Sequence, residues 1–210
     1  MTPAVGSRAT LQQLDEATRR LVLLSSTITG GNDRQIRDAV TRAATDIPAM
    51  WVEELMLQSY LFAGFPRALN AMREWRRVSP EPLAGNSSAD VDRWRADGEA
   101  TCASVYGSMY ERLRENIRAL HPSLDEWMII EGYGKVLSRP GLDLPRRELC
   151  IVAACAAAGQ DRQLLSHFHG ALNVGVDPSV IDLVIDALSE FLGAERAASA
   201  RMLWARVRGK

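Results

Sequence analysis

Apolar residues recur mostly three and four apart along this chain, the spacing that lines one face of a helix. Leu11, Leu14, Thr18, Leu21 and Leu24 form one stripe. Trp51, Leu55, Leu57, Leu61 and Phe62 form a second, and Leu183, Val184, Leu188 and Leu192 a third. Strict alternation over four or more residues, the mark of a half-buried strand, is almost absent. The one strand-like run, CIVAAC at 150–155, lies inside an Ala- and Leu-rich stretch from Leu144 to Ala158 and reads as helix. Pro48, Pro66, Pro122, Pro145 and Pro178 each precede a helical-period run, where a first-turn proline costs nothing. Ser123 to Glu126 has the spacing of a capping box opening a helix at Trp127. The pattern predicts an all-α chain of about eight to ten helices with short connections.

One segment breaks the pattern. SPEPLAGNSSAD, at 79–90, has the composition of a linker and separates two helical blocks. Those blocks resemble each other. Asp33-Arg34-Gln35-Ile36 recurs as Asp161-Arg162-Gln163-Leu164, an offset of 128, and Gly31 matches Gly159. Gly64 and Arg67 match Gly193 and Arg196 with one more residue of offset. We read 10–78 as a partial first copy, 79–122 as linker and connecting helices, and 123–210 as a second copy. Residues 1–210 then make a single pseudo-symmetric domain. The copies differ chemically: Glu148 and His167 in the second stand where the first has Arg20 and Ala39.

Charge and composition narrow the function classes. The 25 Lys and Arg against 26 Asp and Glu give a net charge of −1, which argues against nucleic acid and membrane surfaces as partners. No apolar run reaches the roughly 18 residues a spanning helix needs. The first twenty residues are polar and lack a signal-peptide core. Cys102, Cys150 and Cys155 fit a reduced, cytoplasmic chain better than a disulfide framework. His121, His167 and His169 are the only histidines. His167 and His169 lie about 200° apart around a helix, so they share no ligand face, and no metal site is expected. His121 reads as a helix-end group, and the five tryptophans as packing residues. The Arg67, Arg73, Arg76 and Arg77 cluster reads as a solvated face.

YGKVLSRPGLDLPRREL (133–149) followed by SHFHGALNVGVDPSVIDLVI (166–185) resembles the carboxymuconolactone decarboxylase family, related to alkylhydroperoxidase D. EELMLQSYLFAGFPRALNAM (53–72) resembles the family's closing helix pair, and 79–120 has no counterpart. The resemblance implies an alkylhydroperoxidase D-like helical fold and homo-oligomers. In the redox branch a Glu is followed by two cysteines and a His. Here that spacing is filled by Glu148, Gln160, Gln163 and His167. An amide is neither thiolate nucleophile nor resolving thiol, so the peroxidase role is not expected. The decarboxylase branch keeps its histidine in an H-x-x-x-A-L segment, which His167 matches.

That branch implies cofactor-free decarboxylation or proton transfer on a small anionic lactone or keto acid, as in aromatic-compound catabolism. The resemblance makes His167 the proton donor and Glu148 the carboxylate that holds its tautomer. Gln163 and Gln160 become candidates to bind substrate oxygens, and Arg147, with Arg146 and Arg162, to hold a carboxylate. An alkylhydroperoxidase-like redox protein and a non-catalytic oligomeric binding module are the alternatives. Trp51 to Leu57 is expected to leave an apolar face for a second copy.

Overall fold

The computed structural model describes residues 10–80 and 90–209. Residues 81–89 of the expected linker lie outside that range. Among the described residues the architecture is all-α. The helices are α1 (Glu16–Gly30), α2 (Asp33–Asp46), α3 (Ala49–Val78), α4 (Val91–Tyr106), α5 (Tyr110–Leu120) and α6 (Pro122–Trp127), then α7 (Leu144–Ala158), α8 (Asp161–Asn173), α9 (Pro178–Leu192) and α10 (Ala194–Arg208). A short 3-10 turn, Gly107–Met109, joins α4 to α5, and a π-helix, Met128–Leu137, continues α6. The only β feature among these residues is an isolated bridge, in which Leu11 pairs with Val176. No helix among them is long and apolar enough to cross a membrane.

Helix boundaries follow local chemistry. Asp15 and Asp143 cap α1 and α7, each accepting from the backbone N–H three residues on. Asn32 and Gln35 form a reciprocal capping box at α2. The box expected at Ser123 does not form. His121 caps α6 instead, its Nδ1 accepting from the Ser123 N–H, and Pro122 takes the first helical position. The proline pulls the start of the helix forward, so the capping group is the residue before it.

The helix bounds recur in the two halves. α7 starts 128 residues after α1 and α8 starts 128 after α2. α3 is kinked at Gly64 (φ 79°, ψ 158°), and the break between α9 and α10 falls at Gly193 with nearly the same backbone (φ 76°, ψ 166°). Arg67 donates to the carbonyls of Ile28 and Gly31 at the end of α1. Arg196 does the same to Ala156 at the end of α7. Two arginines thus satisfy helix-end carbonyls that lack intrahelical donors. Arg76 likewise pairs with the buried Glu53 at 2.6 Å. The arginine cluster expected to be a solvated face is therefore half structural.

α1 lies along α7 at the seam between two apolar cores. Leu21, Leu24 and Ile28 face the core with α2 and α3, while Val22 faces that of α7 to α10. Ser25 donates across the seam to the Cys150 carbonyl at 2.7 Å. Trp51 to Leu57 does not remain open as expected. Val52, Glu53, Glu54, Leu55 and Met56 are buried, and Arg146 lies over the Trp51 ring at 4.3 Å. Glu54 explains the RPGLD text. It accepts from Arg139 at 2.9 Å and from the wholly buried Arg147 at 2.8 Å, joining α3, the 139–143 turn and α7. Gly141 (φ 98°) brings that turn against Met50 and Glu54, where a Cβ would meet Met50 at 2.8 Å.

Candidate active site

Glu148 lies on the second turn of α7 and His167 on the second turn of α8, in two antiparallel helices joined at Gly159. Gly159 adopts the left-handed conformation (φ 72°) that reverses the chain. Counted from this turn the two residues lie at slightly different depths, and the long glutamate side chain spans the difference. His167 Nδ1 and Glu148 Oε2 are 2.8 Å apart. The Glu148 side chain is wholly buried and that of His167 is 7% exposed. The hydrogen bond engages Nδ1, so Nε2 is the ring nitrogen left for a proton partner. The Phe62 ring stands edge-on to the imidazole at 5.9 Å between centroids.

The surroundings concentrate the carboxylate's field. Glu148 Oε1 is buried without a hydrogen-bond partner. Tyr106, Tyr133, Cys102 and Cys155 all lie within reach of its charge. Burial pushes the Tyr106 phenol up to about 12, and Glu148 adds to the shift. Burial likewise raises Tyr133, on the π-helix, well above the ordinary phenol value. π-helical turns often mark functional sites, and this one carries the buried Tyr133, whose ring meets that of Tyr106 edge-on at 6.2 Å between centroids.

Gly170 makes the approach possible. A Cβ there would sit 2.6 Å from Glu148 Oε2 and 2.8 Å from Val105 Cγ1. A mid-helix glycine one turn after His167 therefore gives the carboxylate its space. Gly170→Ala is expected to destabilise the protein by about 1–3 kcal/mol through overpacking and to displace Glu148. Thermal unfolding checks the first effect, and loss of any turnover beyond the unfolded fraction checks the second.

The other sequence candidates fall elsewhere. Gln163 is exposed one turn before His167, and Gln160 is exposed at the N-cap of α8. Arg147 is not available to a substrate. It is wholly buried on the face of α7 toward α3, donating to Glu54, Gln58 and the carbonyls of Leu142 and Arg139. Adjacent helical residues point about 100° apart, so Arg147 and Glu148 serve different neighbours. Arg146 is held by Asp15, Asp143 and Thr18. Sequence reasoning missed Gly170, Tyr106 and Tyr133. The helix-weakening glycine in H-x-x-G was a usable signal for the first.

The three cysteines are buried, and burial pushes each thiol up to about 12. Ellman's reagent should find no reactive thiol in the folded protein at mildly alkaline pH, and three after denaturation. Rapid reaction in the folded state would contradict this. The unfolded chain releases these protons at a lower pH than the folded one. Their contribution to stability is therefore complete below the ordinary 9.0 and is lost as pH rises toward about 12. Among the described residues no three His, Cys, Asp or Glu side chains cluster as metal ligands.

Residues 122–206 match the carboxymuconolactone decarboxylase family model, and this stretch carries Glu148, His167 and Gly170. The chain is 30% identical to Peroxisomal protein 2 of Schizosaccharomyces pombe over 129 residues, 59% of this chain and 60% of that protein. It is 24% identical to Peroxisomal protein 2 of Saccharomyces cerevisiae over 160 residues, 62% of this chain and 56% of that protein. The match thus spans less than two thirds of either relative's length. Their names give a location and no reaction.

Proposed function

We propose that this carboxymuconolactone decarboxylase family domain catalyses cofactor-free proton transfer or decarboxylation on a small anionic lactone or keto acid. The observation that carries the reading is the buried 2.8 Å contact between His167 Nδ1 and Glu148 Oε2. In the reaction the bond between a ring carbon and a carboxylate breaks, and carbon dioxide leaves. The bonding pair stays behind as a delocalised dienolate. His167, as an imidazolium held by Glu148, gives the proton on Nε2 to that carbon, forming the new C–H bond. The neutral ring keeps its Nδ1 proton on Glu148 and regains the other from solvent. Glu148 fixes the tautomer and stabilises the charged ring, and the low-polarity surroundings strengthen that interaction.

The two halves, related by the recurring helix bounds, form one pseudo-symmetric unit in which only the second half keeps the acid–imidazole pair. Phe65, Leu120, Trp127 and Met202 are more than half exposed and are the surfaces from which a homo-oligomer would be built. A cytoplasmic site of action remains our proposal from composition. The names of the two relatives favour a peroxisomal one, and imaging of the tagged chain decides between them.

The test is incubation of the purified protein in deuterium oxide with carboxymuconolactone and a panel of lactone and keto acids. The reading predicts carbon dioxide release, or deuterium entering carbon, with at least one of them. Neither event with any of them would overturn it.

A further inference from the structure

We propose that a cleft between α5 and the outer face of α8 binds a small carboxylate with an apolar body, anchored by Arg112. This goes beyond the chemistry at His167, because the cleft is not lined by that residue and its outer wall belongs to the part of the chain that precedes the family match.

The cleft has a volume of about 480 Å³, within the range of small-molecule sites. Two cavities in the first half measure about 70 and 200 Å³. One wall of the cleft is a single face of α5, where Arg112, Leu113 and Asn116 follow at helical spacing. The other is the Ser166, His169 and Asn173 face of α8, again at helical spacing. Val105 and Tyr106 line the cleft where α4 ends. Asn173 is fixed there, its Nδ2 donating to the Val105 carbonyl at 2.8 Å. Gly107 (φ 53°) turns the chain beneath that amide.

Charge identifies the ligand class. Among the described residues no carboxylate lines the cleft, and Arg112 is the permanent cation there. The neighbouring arginines of α5 are occupied otherwise: Arg114 and Arg118 both pair with the buried Asp125. Among the described residues no acid pairs with Arg112. Its planar fork of donors suits a carboxylate. Leu113 and Val105 supply apolar wall, while Asn116, Ser166 and Tyr106 add hydrogen-bonding groups. α5 itself has no buried residue, so a ligand between it and α8 would bury apolar surface that the helix otherwise leaves open.

Calorimetric titration of the full chain with benzoate, and with benzyl alcohol as the neutral counterpart, tests the proposal. Benzoate is expected to bind and benzyl alcohol to bind at least about tenfold more weakly. Arg112→Ala should weaken benzoate about tenfold or more, Arg112→Lys should weaken it less, and His167→Asn should leave it unchanged. Arg112 is exposed on α5, so these variants are expected to fold. No binding of benzoate, equal binding of the alcohol, or an unchanged affinity in Arg112→Ala would overturn the proposal. Loss of binding in His167→Asn with Arg112→Ala unaffected would also overturn it, and would place the carboxylate at the buried pair, where the proposed reaction survives.

Discussion

His167→Asn is expected to cut turnover of the responsive lactone or keto acid by about 10²–10⁴-fold, the usual worth of a positioned proton donor. Asparagine is the informative replacement. Its side-chain N–H₂ stands near the place of Nδ1 and can still donate to Glu148 Oε2, so the buried carboxylate keeps a partner. It has no group in the position of Nε2 and does not titrate. The melting temperature should therefore stay near that of the parent while turnover falls. His167→Ala removes both functions, and it should lose stability as well because it strands a wholly buried carboxylate. Glu148→Gln keeps an acceptor for Nδ1 but removes the charge that stabilises the imidazolium, so it should slow turnover while leaving the ring in place. Parent-like turnover in His167→Asn, measured by deuterium incorporation, would remove His167 from the mechanism.

The largest loss of stability is expected at Glu54. Glu54→Ala leaves Arg139 and the wholly buried Arg147 without their shared carboxylate. Burial already lowers the Arg147 pKa against the opposing effect of Glu54. Breaking one side of such a buried pair typically costs about 3–5 kcal/mol, because a charge is left without compensation. For a chain of this size that corresponds to a fall in melting temperature of about 10 °C or more. Glu54→Gln retains one acceptor oxygen but turns an amide N–H₂ toward the other guanidinium, so it should lose less than alanine without matching the parent. Denaturant unfolding measures both, and a change below about 1 kcal/mol in Glu54→Ala would show that the network is not a structural strut.

Much of the helical frame was legible because its signals are local. Pro145 and Gly159 bracket α7 within a residue of its observed ends, and the run once readable as a strand at 150–155 is its centre. The recurrence of Gly64 at Gly193 was equally visible, since both positions demand a backbone that glycine alone adopts easily. The capping group of α6 was misread because a serine-to-glutamate box and a proline-led start compete over the same residues, and the proline decided. The pairing of Glu148 with His167 was expected from the resemblance and needed only helices placed side by side. Arg147 was a candidate, with Arg146 and Arg162, to hold a substrate carboxylate, and the fold sends it to α3 instead. Facing between distant elements is what the sequence does not encode locally. Nothing in the 91–120 segment announced that Tyr106 would lie within the field of Glu148. Nor did it show that Gly98 and Gly134 let α4 and the π-helix meet backbone to backbone, where a Cβ on either would fall about 2 Å from a carbonyl oxygen of the other element.

The most direct measurement is nitrogen-15 and proton magnetic resonance of the His167 ring in the intact protein, followed through a pH titration and repeated in Glu148→Gln. A slowly exchanging proton is expected on Nδ1, with loss of that proton's protection or shift when Glu148 loses its charge. A ring protonated on Nε2 alone when neutral, or a spectrum indifferent to Glu148→Gln, would contradict this.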